Sequence, residues 1–106
     1  MQGTLIEVID GLDVVDDSDC FPPLCIFAHG GPDAPLVARA IVCPGDEEGS
    51  FVCPLDPALS YVLEVELAKE CVAGWSAGRS GRRPTPQDKF TAVMHYARND
   101  AWLPLE

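Results

Sequence analysis

The stretch LCIFAHGGPDAPLVARAIVC, residues 24–43, decides the fold class. Its first part, LCIFAH at 24–29, is a short apolar run with aromatic and β-branched members, which suits a strand better than a helix. GGPDAP at 30–35 then sets two glycines, two prolines and an aspartate in a row, residues that favour tight turns for separate steric reasons. LVARAIVC at 36–43 resumes a weakly alternating, Val- and Ile-rich pattern. The reading is strand, turn, strand.

Moving towards the C-terminus, PGDEEG at 44–49 supplies another turn and SFVCPL at 50–55 returns to apolar residues. Together with 36–43 they predict a β-hairpin with an acidic tip. YVLEV at 61–65 is expected to be a last strand running into a helix over about 65–77. Leu67, Cys71, Val72 and Trp75 share one face of that helix, with Glu66, Lys69 and Glu70 off it. RSGRRPTP at 79–86 is a basic turn. Thr85 as N-cap, Pro86 at the first helical position and Asp88 in the first turn then open another helix, whose core side carries Phe90, Val93, Met94 and Ala97. NDAWLPLE at 99–106 breaks it and offers Trp102 and Leu103 as a hydrophobic latch.

On the N-terminal side, Thr4 and Glu7 have capping-box spacing. The helix they predict, about 4–11, carries the stripe Leu5, Val8, Ile9 and Leu12, and Gly11 is placed to end it. DVVDDSDC at 13–20 reads as an exposed acidic loop. The expected architecture is a single α+β domain spanning 1–106, with a small, mainly antiparallel β-sheet packed against two or three α-helices.

The chain has 106 residues and a net charge of −10, with hydrophobic residues at 47% and charged ones at 23%. Such a composition supports one packed core rather than disorder. The charge is unevenly placed. Residues 1–70 hold 14 acidic against two basic side chains, whereas 71–106 hold three against five. A concentrated negative field repels nucleic acid and anionic lipid and speeds encounter with a basic partner, so direct binding to DNA, RNA or a membrane surface is not expected. No apolar run approaches the roughly 20 residues of a membrane span, and the N-terminus lacks the basic start of a secretory signal. A cytoplasmic protein with its five cysteines reduced is the expectation.

Several motifs suggest chemistry, but their context argues otherwise. GWSAG at 74–78 matches the G-x-S-x-G nucleophile elbow, HGG at 29–31 suggests an oxyanion loop, and Asp88 and His95 follow Ser76 in hydrolase order. An elbow must join a strand to a helix, whereas Ser76 falls at the end of a helical pattern. Cys20, Cys25, Cys43 and Cys53 invite a zinc reading, but the second pair is separated by nine residues, too many for a knuckle. Cys71 reads as packing. His29 and His95 have no ligand-spaced partners, and Gly30-Gly31 lacks the Lys and Ser/Thr of a phosphate loop. No catalytic residue, metal or cofactor is expected.

YVLEVELAKECV at 61–72, PTPQDKF at 84–90 and AVMHYARNDAW at 92–102 resemble a family of small bacterial domains of unknown function, grouped with the immunity proteins of polymorphic toxin systems. The resemblance covers roughly residues 55–103, and its most specific part is Tyr96 with Asn99-Asp100-Ala101-Trp102. Such proteins, including those of contact-dependent growth inhibition, are small and often acidic, and each occupies its own toxin. The resemblance therefore implies a cognate toxin as partner, and a nuclease with a basic substrate groove would complement this charge. It supplies no binding residues.

Charge and aromatic placement choose the candidates instead. Asp13, Asp16, Asp17 and Asp19 lie in the first acidic loop, Asp46, Glu47 and Glu48 at the hairpin tip, and Glu64 and Glu66 before and within the following helix. Phe21, Phe51 and Tyr61 are the neighbouring aromatic anchors. Two other readings share these residues or motifs: a nucleic-acid-mimicking regulator of a housekeeping nucleic-acid enzyme, and a small hydrolase or metal protein.

Overall fold

The fold comes from a computed structural model, which describes residues 1–18, 22–45 and 52–102. Four strands form one antiparallel sheet: β1 (Gln2–Thr4), β2 (Leu24–Ala28), β3 (Arg39–Pro44) and β4 (Ser60–Glu64), in the order β1-β3-β2-β4. Three helices, α1 (Leu5–Asp10), α2 (Val65–Ala77) and α3 (Pro86–Asn99), accompany it. The α+β architecture expected from the sequence is the observed one. A radius of gyration of 12.9 Å matches the roughly 13 Å of a single packed domain of this length.

The sheet sorts its side chains by alternation. Ile26 and Ala28 of β2 join Ala40 and Val42 of β3 beneath the helices. Cys25, Phe27, Ile41 and Cys43 point to the opposite face. The β2–β4 register shifts between Ile26 and Phe27, which lets both Val62 and Leu63 of β4 join the helix-side core. From α1, Leu5, Val8 and Ile9 enter that core, followed by Leu12 from a 3-10 turn at Leu12–Val14. Val65, Ala68 and Cys71 of α2 and Phe90, Val93 and Met94 of α3 complete it.

The starts of α1 and α3 are set by the predicted caps. The Thr4–Glu7 capping box is closed in both directions, and Thr85 forms a second one with Asp88 behind Pro86. In α1 the Leu5 and Ile6 amides, which have no intrahelical acceptor, donate to the carbonyls of Ala38 and Leu36 at 2.8 and 2.9 Å. Residues 36–38 are therefore spent on capping a helix, and β3 begins at Arg39 rather than at 36. At the other end of the domain, Trp102 packs edge-on against Tyr96 at 5.3 Å and lies over Gly74 of α2, half of the expected latch. Leu103 lies outside the described residues.

The predicted hairpin of 36–43 with 50–55 does not form. β3 already has β1 on one side and β2 on the other, so no ladder is left for a third partner. Val52 forms an isolated bridge to Ser60, and Cys53, Asp56 and Leu59 close a tight turn through backbone hydrogen bonds. The turn returns Cys53 and Leu59 over the face of the sheet away from the helices. β1 was not anticipated, because three residues are too few to display a period.

Candidate functional site

The acidic loop is held against α2 by one lysine. Lys69 Nζ donates to the Val15 carbonyl at 2.5 Å and to Asp17 Oδ1 at 2.7 Å. This hydrogen bond keeps the Asp17 carboxyl below its ordinary value of 3.8. Asp16 is lowered as well, first by the Ser18 hydroxyl and then by the Ser18 backbone N–H, both of which donate to its Oδ1. Beside them Asp13 is exposed within the 3-10 turn, and Val14 is 81% exposed. Both carboxylates of the Asp16-Asp17 pair are thus fully charged at neutral pH.

A second lysine ties α3 to the end of α1. Lys89 Nζ donates to Asp10 Oδ1 at 3.0 Å and to the Asp10 carbonyl at 3.3 Å. Between the two lysines lies a groove of about 260 Å³ lined by Ile9, Leu12, Val72 and Ala73, with Asp10, Asp13, Lys69 and Lys89 at its rim. Sequence reasoning missed this groove. Val72 was assigned wholly to the core, and nothing short of the fold brings α1 alongside α2.

The predicted site residues fall into separate places. Asp13, Asp16 and Asp17 form one flank beside α2, and Glu66 lies on the exposed side of that helix one turn before Lys69 and two before Ala73. Glu64 and Tyr61 belong to the far face of the sheet. Glu64 lies opposite Cys25, and Tyr61 packs edge-on against Phe27 with ring centroids 6.3 Å apart. Asp19, Phe21, Asp46, Glu47, Glu48 and Phe51 lie outside the described residues.

The far face gathers thiols. Cys25 and Cys43 are register partners, and Cys43 Sγ lies 3.7 Å from Cys53 Sγ. Burial pushes the Cys25 thiol up to about 11, with the Glu64 charge adding to it, and Cys43 up to about 12. Among the described residues no three His, Cys, Asp or Glu side chains are grouped as metal ligands would be. Ser76 lies inside α2 and donates its hydroxyl to the Arg82 carbonyl at 2.9 Å, away from any strand-to-helix turn. His95 is engaged by Asn99, whose side-chain amide donates to the His95 carbonyl at 2.9 Å.

The basic turn is also organised. The guanidinium carbons of Arg79 and Arg82 lie 4.5 and 5.1 Å from the centroid of the buried Trp75 ring. Further cations pair with the acidic part of the chain: Arg39 with Asp56 and Arg98 with Asp33, both at 3.7 Å. The sequence asymmetry is therefore partly offset in space. Asp13 and Asp16 carry no ion pair among the described residues.

Among the described residues, no helix is long and apolar enough to cross a membrane. Comparison with family models, with curated proteins and with solved structures returns no match for this chain.

Proposed function

We propose that the chain is a non-enzymatic immunity protein that binds a cognate bacterial toxin in the cytoplasm and occludes a basic surface, with a nuclease as the expected toxin class. The observation that carries this reading is the acidic flank beside α2, in which Asp13 lines an apolar groove and Asp16 and Asp17 follow it in the adjoining loop. Acidic fields of this kind accelerate association with basic surfaces, and an adjoining apolar patch supplies the short-range contact that slows release.

Co-expression with the product of the adjacent gene provides the test. The expected outcome is a stable complex in which that product's nuclease activity is lost at equimolar chain. Replacing Asp13 and Asp16 with Asn is expected to lower the association rate several-fold at low ionic strength and to flatten its salt dependence. Normal toxicity of the neighbouring product in the presence of excess chain removes the immunity reading. Capture instead of a chromosomally encoded nucleic-acid enzyme, released by competing DNA or RNA, favours the mimic.

A further inference from the structure

We propose that the groove between α1 and α2 seats one bulky apolar side chain of a basic protein partner, whose cationic neighbours meet Asp13 at the rim and Asp16 in the adjoining loop. The inference rests on reading the acidic flank as a partner surface, and it names the anchor that surface would take.

Volume sets the size of the occupant. About 260 Å³ exceeds the roughly 150 Å³ that accommodates a benzene ring, yet falls short of the roughly 300 Å³ at which pockets for drug-sized ligands begin. One aromatic or long aliphatic side chain fits such a space. Ile9, Leu12, Val72 and Ala73 give it apolar walls.

Chemistry then separates a protein anchor from a small polar ligand. Both lysines at the groove are already committed: Lys69 to Asp17 and the Val15 carbonyl, Lys89 to Asp10 and its carbonyl. Their ammonium charges are balanced, and their methylene stems extend the apolar wall. What remains unbalanced is acidic, since Asp13 and Asp16 have no ion pair among the described residues. An apolar slot with Asp13 unpaired at its rim and Asp16 in the adjoining loop matches an apolar side chain flanked by Lys or Arg. It gives an isolated anion or a neutral polar molecule little to hold. Anchors of this kind, buried in a pocket and ringed by polar contacts, dominate the energy of many interfaces. The exposed Val14 widens the contact next to Asp13.

Two synthetic probes test this on the intact chain: a capped pentapeptide with tryptophan between two pairs of lysines, and its counterpart with serine at the centre. Amide shifts of Leu12, Asp13 and Ala73 are followed by NMR at low ionic strength, with peptide up to roughly millimolar concentration. The tryptophan peptide is expected to bind at least tenfold more tightly than the serine peptide. Ala73→Leu, a good helix former at an exposed helical position, is expected to abolish that difference by filling the groove. Equal affinity of the two peptides for the native chain overturns the proposal whether or not the variant folds. So does a preference that survives in Ala73→Leu. Concentration-dependent shifts of the same amides without peptide assign the groove to a second copy of the chain, and indole binding as tightly as the tryptophan peptide assigns it to a small molecule; either overturns the proposal. A tryptophan preference in a chain that fails to neutralise the adjacent gene's product leaves the groove standing and removes only the immunity reading.

Discussion

The two faces of the sheet are closed by different means. On one face three helices lay down aliphatic stripes, and the core from Leu5 through Val62 to Met94 is continuous. On the other, the chain folds back once, and Cys53 and Leu59 cover Cys25, Phe27, Ile41 and Cys43, with Tyr61 at the border. The first closure is built from repeated local patterns, each of which specifies its own geometry. Among the described residues, the second depends on one turn, from Cys53 to Leu59, laid back over the sheet. A face closed by one crossing has fewer independent contacts to hold it, so its integrity is the sharper question.

Neighbouring residues of β2 give the largest expected effects and the most direct comparison. Ile26 points to the helices and Phe27 to the far face, and both are fully buried. Ile26→Ala is expected to cost about 2–5 kcal/mol and Phe27→Ala about 3–5 kcal/mol, read from denaturant midpoints at unchanged slope. A Phe27→Ala loss under about 1 kcal/mol breaks the comparison, because the return is then a loose flap rather than half of the core.

Thiol chemistry sharpens it next. With burial raising Cys25 to about 11 and Cys43 to about 12, their thiolate fractions at neutral pH fall at least a hundredfold below that of a free cysteine near 8.5. Residue-resolved labelling by mass spectrometry should find both modified more than about a hundred times more slowly in the folded chain than in denaturant. Cys71, raised to about 11 by burial under the helices, provides the internal reference. Rapid labelling of Cys25 and Cys43 with Cys71 protected would mean that the far face opens by itself.

The smallest effect belongs to the acidic flank. The folded pKa of Asp17 lies below 3.8, so its contribution is present above that pH and is lost as pH falls through the folded value. Asp17→Asn is expected to cost a few tenths to about 1 kcal/mol at neutral pH, and to remove part of the acid sensitivity below about pH 4. Urea titrations of both chains across that range measure it. An unchanged acid limb would show that Lys69 holds the loop through the Val15 carbonyl alone.

How far the sequence discloses these features follows from the range of the interactions. Helix α1 was legible from Thr4, Glu7 and the stripe Leu5-Val8-Ile9-Leu12, and α3 from Thr85-Pro86 and Asp88, because caps and periods are encoded within a few residues. SFVCPL was misread as a hairpin arm, since nothing in its own composition reveals that β3 is already flanked by β1 and β2. For the candidate surface, Asp13, Asp16 and Asp17 were legible as an acidic loop. Their companions Val72, Ala73 and Lys69 were not, because Lys69 meets Val15 across 54 positions of sequence. Glu64, a candidate of the same acidic set, stands instead on the far face beside Cys25. Alternation along β4 and a shifted register put it there.

The short outer strands have a consequence for life at high concentration. β1 offers three residues at one margin of the sheet, and at the other β4 runs straight into α2, with its first residue already bridged by Val52. Among the described residues, neither margin presents the long, flat row of open backbone groups on which foreign chains polymerise. Short margins of this kind give little template for edge-to-edge pairing between copies of a fold.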